Sequence, residues 1–571
     1  MASTHGTGSS ESAAGGADGK IDISEISRYV SEAFDAVPEI GKGHRWYDYP
    51  YKALSRVLQS RLGKSLPRRV REIFNYACNY LIPWNEFDRY RAWSRDDPNH
   101  NLVVPKDEHV RIPRIWAVEF FPPSELDNLK KAIARNGWDS KRIRYGIYEP
   151  NADLLDRFRK EAGWARWPLG AVFNDTATVF IPNAQRRKLP KALDSVELTA
   201  YQVGPSLTAV VASFRLSRAG QESVDQVWHS VHEPKLYFRR GGRPGVRDRL
   251  WNAFHETQTA RRLLHEAVRE WMTEQCPGFF ANAKASQPLV DLVLLERHDP
   301  TLGGRTDRDL RNALRAIGIK EDSEPLVSED LPGLLMEFVD ESMCPALNGR
   351  YTKTLWGQVG RTVNGIGDML STYGGSFDQV SAIGHFVDRR IGGFLVNLAI
   401  VDFLQLKRAQ HAVLRDQARA RHGRFNRRDL QHLRDSFLTT SLDINSIARD
   451  VSKVRQGRYF DWGDAVFFRK PVAWLEQSYV ESGSTPRAPI NVNEQLQELQ
   501  ELQVKELVEF DADYRSILST VASIGSSIDA FKVQRIAIWV AFLSLLVALL
   551  SLFVTVAGPD EMQSLWRLIL S

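Results

Sequence analysis

Apolar positions along this chain follow three rhythms, and each predicts a different element. From residue 21 to about 90 they recur at helical spacing, in 51–62 and again in 67–81, with Pro67 and Pro83 as punctuation. From about 110 to 339, short runs rich in Val, Ile, Thr and Phe alternate with amphipathic stretches. RIWAVEFF (114–121) reads as a strand stopped by Pro122 and Pro123, with Ser124 as the cap of a helix to 136. Residues 143–148 read as a strand, and Asn151 as the cap of a helix through 162. Strands follow at 171–181, 196–203 and 207–216, the last two joined into a hairpin by Gly204-Pro205-Ser206. Residues 247–274 form one long amphipathic helix and 289–296 a buried strand. Beyond 383 the pattern is helical at 383–421 and 427–454, with an irregular aromatic stretch at 459–472 and a Ser/Pro linker at 482–489. The apolar start of 383–421 contains Asn397 and Asp402, which marks a buried helix rather than a membrane span.

The third rhythm has no polar face. Residues 536–556 read IAIWVAFLSLLVALLSLFVTV, without charge, Pro or Gly. At about 1.5 Å per residue this stretch spans about 31 Å, matching the hydrocarbon core of a bilayer. Arg515, Lys532 and Arg535 precede it, while Asp560 and Glu561 follow. The cation bias predicts that the bulk of the chain is cytoplasmic and a short tail lies on the far side. Within that tail, 563–570 (QSLWRLIL) is too short to span and is expected in the interface.

Ahead of the span, Leu507, Phe510, Tyr514, Ile517, Val521, Ile524, Ile528 and Phe531 repeat at alternating intervals of three and four. This is the coiled-coil period. Leu496, Leu499 and Leu502 are out of phase with it, as after a stutter. Two readings stand: a seam that joins several copies of the chain, or an amphipathic helix packed within one chain. The unbroken path into the membrane favours the first, because a helix entering the bilayer is not expected to fold back on its own globule. Inside the span, Ala537, Ala541, Ser544, Ala548, Ser551 and Thr555 make a stripe of small residues. Such a stripe allows close helix packing in lipid. In a multimer its hydroxyls would alternatively line a narrow polar path.

The predicted fold class is an α+β cytoplasmic body with helical N-terminal and C-terminal parts, a long coiled-coil-like stalk helix and a single transmembrane helix. The expected segments are a disordered tail (1–20), a helical N-terminal region (21–105), an α+β domain (106–345), a helical region (346–481), a linker (482–490), the stalk (491–535), the span (536–556) and a short far-side tail (557–571). Over its last third this layout resembles the CorA family of divalent-cation transporters. The family's Gly-Met-Asn signature is replaced by Ala557-Gly558-Pro559-Asp560, and its second membrane helix is missing. The resemblance implies an ion channel or transporter as one function, and it carries no family residue onto this chain.

Composition narrows the chemistry. The net charge of +5 over 571 residues gives no clear nucleic-acid signal. Cys78, Cys276 and Cys344 are far apart, which fits three small buried residues in a reducing compartment. The N-terminal Gly/Ser/Ala stretch has no apolar core and does not read as a secretory signal. His229, His232 and Glu233 fall within five residues and are the candidate metal or catalytic cluster, although their spacing matches no common ligand motif. His255-Glu256 and His265-Glu266 lie ten apart, off a common helical face. Arg239 and Arg240 precede Gly241-Gly242-Arg243, and the three arginines mark either an anion site or a solvated turn. A second Gly-Gly-Arg occurs at 303–305. No phosphate loop, dinucleotide fingerprint or nucleophile elbow occurs, and no cofactor is indicated. The leading expectation is a membrane-anchored, homo-oligomeric sensor, scaffold or effector whose partners are the lipid bilayer, itself and a cytoplasmic protein. The alternatives are a CorA-like ion channel or transporter, and a membrane-tethered enzyme using His229, His232 and Glu233.

Overall fold

A computed structural model describes residues 35–93, 104–139, 142–144, 147–161, 165–175, 184–238, 244–301, 308–347, 349–367, 378–420, 439–452, 464–485 and 487–556. The chain divides into two compact units, residues 1–402 with 457–496, and residues 403–456 with 497–571.

The first unit is built on a twelve-stranded mixed sheet. Its path runs Ile490–Asn491, Phe468–Arg469, Leu326–Val327, Leu334–Phe338, Thr352–Gln358, Leu289–Leu295, Arg114–Phe121, Leu207–Leu216, Leu193–Val203, Ala165–Phe173, Gln185–Arg186. Val110–Arg111 pairs with the far end of Leu289–Leu295. Most neighbours are antiparallel; Leu289–Leu295 with Thr352–Gln358 is a parallel pair in full register. The middle strands are apolar on both faces, and all eight residues of Arg114–Phe121 and all seven of Leu289–Leu295 are buried. A strand covered on both sides needs no polar face, which explains their near-continuous apolar runs.

Two helices supply the covers. Arg249–Gln275 starts at Asp248, whose carboxylate accepts the Trp251 N–H at 2.8 Å. Its Phe254, Leu264, Val268, Trp271 and Met272 join one core with Ile115, Ala117, Phe121, Leu289 and Val293. The opposite face meets the first part of Gln379–Ala420, where Asp388 receives Trp116 Nε1 at 2.6 Å and pairs with Arg114 at 3.1 Å. Lys353 and Asp402 pair at 2.7 Å on that face. Asn397 and Asp402 are buried, as expected of a core helix rather than a span. The three cysteines are buried and free.

Several expected elements differ. Residues 143–148 form two short paired strands, Arg142–Arg144 and Ile147–Glu149, instead of one. Asn151 is the first residue of its helix rather than its cap, because its side chain donates to the carbonyls of Trp138 and Leu169. Arg68–Trp93 runs through Pro83. A proline removes one helical N–H bond. The next turn is secured by Asn85 and Arg89, which donate to the carbonyls of Pro38 and Val37, both at 3.0 Å. Thr352–Gln358, from the stretch read as helical, is a buried central strand. The expected tail 1–20 lies outside the described residues.

The second unit is helical. Residues 403–420, 439–452 and 497–516 pack around Phe403, Leu404, Ile444, Ile447, Val451, Val504 and Leu507, all buried. Polar groups enter in pairs: Lys407 with Asp443 at 2.9 Å, and Ser441 with Asp511 at 2.7 Å. Arg515 reaches Asp511 at 2.8 Å. The helix contributing the third segment is continuous from Val492 to Val556. Within it Val533–Leu552 is long and apolar enough to cross a membrane, with a mean hydropathy of 2.3 and none of it buried inside the chain.

Candidate functional site

His229, His232 and Glu233 are separated by the local backbone. Arg218–Trp228 is a helix capped at its start by Ser217, and His229 is its terminal cap. His232, beyond the end of that helix, turns inward. Its side chain is fully buried, Nε2 donates to the Val227 carbonyl at 2.9 Å, and Nδ1 lies 3.3 Å from Glu256. Burial lowers the pKa of His232. Glu233 is exposed. The expected trio therefore does not converge.

His229 instead faces residues the sequence reading passed over. Asp225, one turn earlier on the same helix, lies 3.5 Å from His229 Nε2. His109 Nδ1 lies 3.1 Å from the other oxygen of Asp225. The Val110 N–H donates to Asp225 Oδ1 at 2.8 Å, fixing the carboxylate. Glu108 secures the segment bearing His109. Its carboxylate accepts the backbone N–H groups of Glu296, Arg297 and His298, and its carbonyl accepts His229 Nε2 at 2.8 Å. Burial pushes the Asp225 carboxyl up, but the hydrogen bonds from His229, Val110 and His109 outweigh it and hold the group below its ordinary value. His109, Asp225 and His229 each offer one ligand atom, all within 4.8 Å of one another. Among the described residues this is the group able to hold a metal ion, and neither His232 nor Glu233 belongs to it. The Asp-x-x-x-His spacing of Asp225 and His229 was a usable signal; His109, 116 residues before Asp225, left none.

A second polar cluster is closed. Asp291 on the central strand accepts Arg261 at 2.7 and 2.6 Å and lies 2.8 Å from His265 Nε2, with all three side chains fully buried. Burial raises the Asp291 carboxyl, yet the Arg261 guanidinium and His265 bring it well below the carboxylate range. Removing one partner of such a set leaves a buried charge uncompensated. Its place between helix and strand makes it a structural clamp. A cavity of about 290 Å³ elsewhere in the unit is lined by Trp138, Trp271, Arg187, Lys188, Glu270 and Glu274, among others.

Arg239, Arg240 and Arg243 lie outside the described residues, as does the second Gly-Gly-Arg. The flanking strands Lys235–Phe238 and Pro244–Arg247 pair in antiparallel register.

Of the seam, Leu507 and Tyr514 are buried inside the chain, while Phe510 is 40% exposed beneath the Arg408 guanidinium. The side chains of Ile517, Val521, Ile524, Ile528 and Phe531 lie outside the described residues. Gln500, Val504, Leu507, Asp511 and Tyr514 form the covered face. The helix does not fold back to achieve this; residues 403–420 and 439–452 are brought up to it. Ala541, Ser544, Ala548 and Ser551 are exposed within the chain, and the Thr555 side chain lies outside the described residues. Comparisons with protein-family models, curated proteins and solved structures find no match to this chain.

Proposed function

We propose that the chain is a membrane-anchored protein that keeps its soluble mass on the cytoplasmic side, self-associates through the distal part of its long helix, and acts as a sensor, scaffold or effector. One observation carries the reading: Val533–Leu552 has no cover among the described residues, although nearly all of it is apolar. Apolar surface costs about 25 cal/mol per Å² in water, so a helix bare on every side calls for a cover, and lipid fits its length and its apolar circumference. Lys532, just before this segment, and Arg535, in its first turn, support the orientation.

Fractionation tests the anchor. The full chain is expected in the membrane pellet after alkaline carbonate washing, and a chain lacking 533–556 in the supernatant; full-length protein in the supernatant would end the reading. Self-association is tested by mass in nanodiscs. Ile517→Asp with Ile524→Asp is expected to yield inserted monomers, because desolvating those charges is prohibitive at a chain–chain seam. An unchanged mass, or a monomeric wild type, would remove the oligomer from the proposal while leaving the anchor intact.

A second reading, an ion pathway, draws on the continuity of the helix from the buried core of its unit to the hydroxyl-bearing stripe with Ser544 and Ser551. Divalent-cation flux into liposomes containing the purified chain would support it; liposomes no leakier than empty ones would dismiss it.

A further inference from the structure

Three ligand-type side chains reach one point on the surface of the sheet unit from two separate parts of the sequence. Asp225 and His229 are one helical turn apart, so their side chains project from the same face at the end of Arg218–Trp228. His109 immediately precedes the short strand Val110–Arg111, whose pairing with Leu295 and Leu294 fixes its approach. The two histidines meet different oxygens of Asp225, His109 at Oδ2 and His229 at Oδ1, and the Val110 N–H shares Oδ1. The carboxylate is thus already positioned between two imidazoles.

We propose that His109, Asp225 and His229 form a site for one divalent transition-metal ion of the zinc class. The donor set is two imidazole nitrogens and one carboxylate oxygen, with His229 Nε2 exchanging its 2.8 Å hydrogen bond to the Glu108 carbonyl for the ion. Such a set suits Zn²⁺, Co²⁺ or Ni²⁺, whereas Mg²⁺ and Ca²⁺ select oxygen cages. The three ligand atoms lie within 4.8 Å of one another. Ligands at about 2.0–2.2 Å from a zinc ion are at most about 4.4 Å apart, so a small rotation completes the set. His109 is the side chain free to make it, because 48% of its surface is exposed. Asp225 and His229 are held more firmly, with 17% and 27% exposed. The second shell is in place: Val110 N–H orients the carboxylate, and the Glu108 carboxylate ties the histidine-bearing segment to Glu296, Arg297 and His298. Three protein ligands leave a position open to water, so the site is accessible and exchangeable.

The experiment is equilibrium dialysis of the full-length chain in detergent, carrying no polyhistidine tag, against Zn²⁺ alone and against Zn²⁺ with excess Mg²⁺. The expected result is one Zn²⁺ per chain, undisturbed by Mg²⁺. His109→Ala removes an exposed side chain, so its fold should survive; circular dichroism verifies that. Its zinc affinity is expected to fall at least about tenfold. Asp225→Asn, which retains a hydrogen-bond acceptor for Val110, is expected to fall as far. Absence of stoichiometric binding in the wild type, undiminished binding by folded His109→Ala, or displacement of Zn²⁺ by Mg²⁺ would each overturn the proposal. None of these outcomes touches the membrane anchor.

Discussion

Two stretches of one helix answer opposite demands. Residues 500–514 present a narrow face of Gln500, Val504, Leu507, Asp511 and Tyr514 to neighbouring helices, leaving Leu502 and Phe510 outside. Val533–Leu552 is apolar all round from Ile536 onward and has no cover among the described residues. The backbone is the same α-helix in both. The difference lies in side-chain distribution: a stripe specifies a protein neighbour, and an apolar cylinder specifies a solvent. The stripe also admits Asp511, because Ser441 and Arg515 receive its charge. From 536 to 552 the cylinder carries no charge; apart from the Trp539 indole its polar groups are the hydroxyls of Ser544 and Ser551, which can bond to their own helix.

A charge placed in each stretch should break the symmetry most strongly. Leu507→Asp is expected to destabilise the helical unit by about 4 kcal/mol or more, since it removes a buried aliphatic group and strands a carboxylate. Chemical denaturation monitored by circular dichroism measures this. Leu546→Asp should leave that unfolding curve within about 0.5 kcal/mol of wild type. It should instead weaken membrane insertion by about 2.5–3.5 kcal/mol, read as the inserted fraction. Equal effects of the two substitutions on unfolding would mean that both stretches are packed against protein.

Acid should act on the covered stretch alone. His411 is buried and its ring meets Tyr514 edge-on at 5.7 Å. Burial lowers its pKa, Asp511 opposes this and Arg415 adds to it. The folded state therefore binds the proton less readily than the unfolded state. The stability this contributes is present above the unfolded value near 6.5 and is lost as pH falls through the folded value. Between about pH 7.5 and 5.5 the thermal midpoint should drop more for the wild type than for His411→Asn. Parallel midpoints for the two proteins would exclude His411 as the group responsible. The smallest effect is expected at the rim. Phe510→Ser removes a 40% exposed ring under Arg408 and should cost only about 0.5–1 kcal/mol in the same denaturation assay.

Local order explains which parts of the molecule were readable. Arg114–Phe121 and Leu207–Leu216 have the predicted bounds, because each is a dense β-branched and aromatic run with a turn or proline at its edge. The long helix Arg249–Gln275 was legible from its apolar stripe. Thr352–Gln358 was not, since TKTLWGQ mixes polar residues into a strand that is nonetheless buried. Its Thr354 and Lys353 find Arg261 and Asp402, partners that local sequence cannot reveal. His229 was picked out by residue type; the structure sets His109 and Asp225 beside it, rather than Glu233, its neighbour in sequence. His109 arrives through strand pairing, and Asp225 through a helix the sequence reading did not assign. The seam was legible as a period and not as a destination, because a three-four repeat has the same form whether the covering helices come from this chain or another.

The outer edge of the sheet has a consequence for synthesis. Phe468–Arg469 pairs with Leu326–Val327, and Ile490–Asn491 then pairs with Phe468–Arg469. An edge begun near residue 326 therefore waits for about 140 further residues before its next strand exists. Until then Leu326 and Val327 present unsatisfied backbone to the surroundings, the kind of edge that recruits foreign strands. The final strand is made only about 40 residues before Val533. Closure of the sheet and emergence of the apolar helix are thus nearly simultaneous events on the ribosome. A nascent chain stalled between residues 330 and 465 should be the species most dependent on chaperones, and release from them should coincide with translation of residues 468–491.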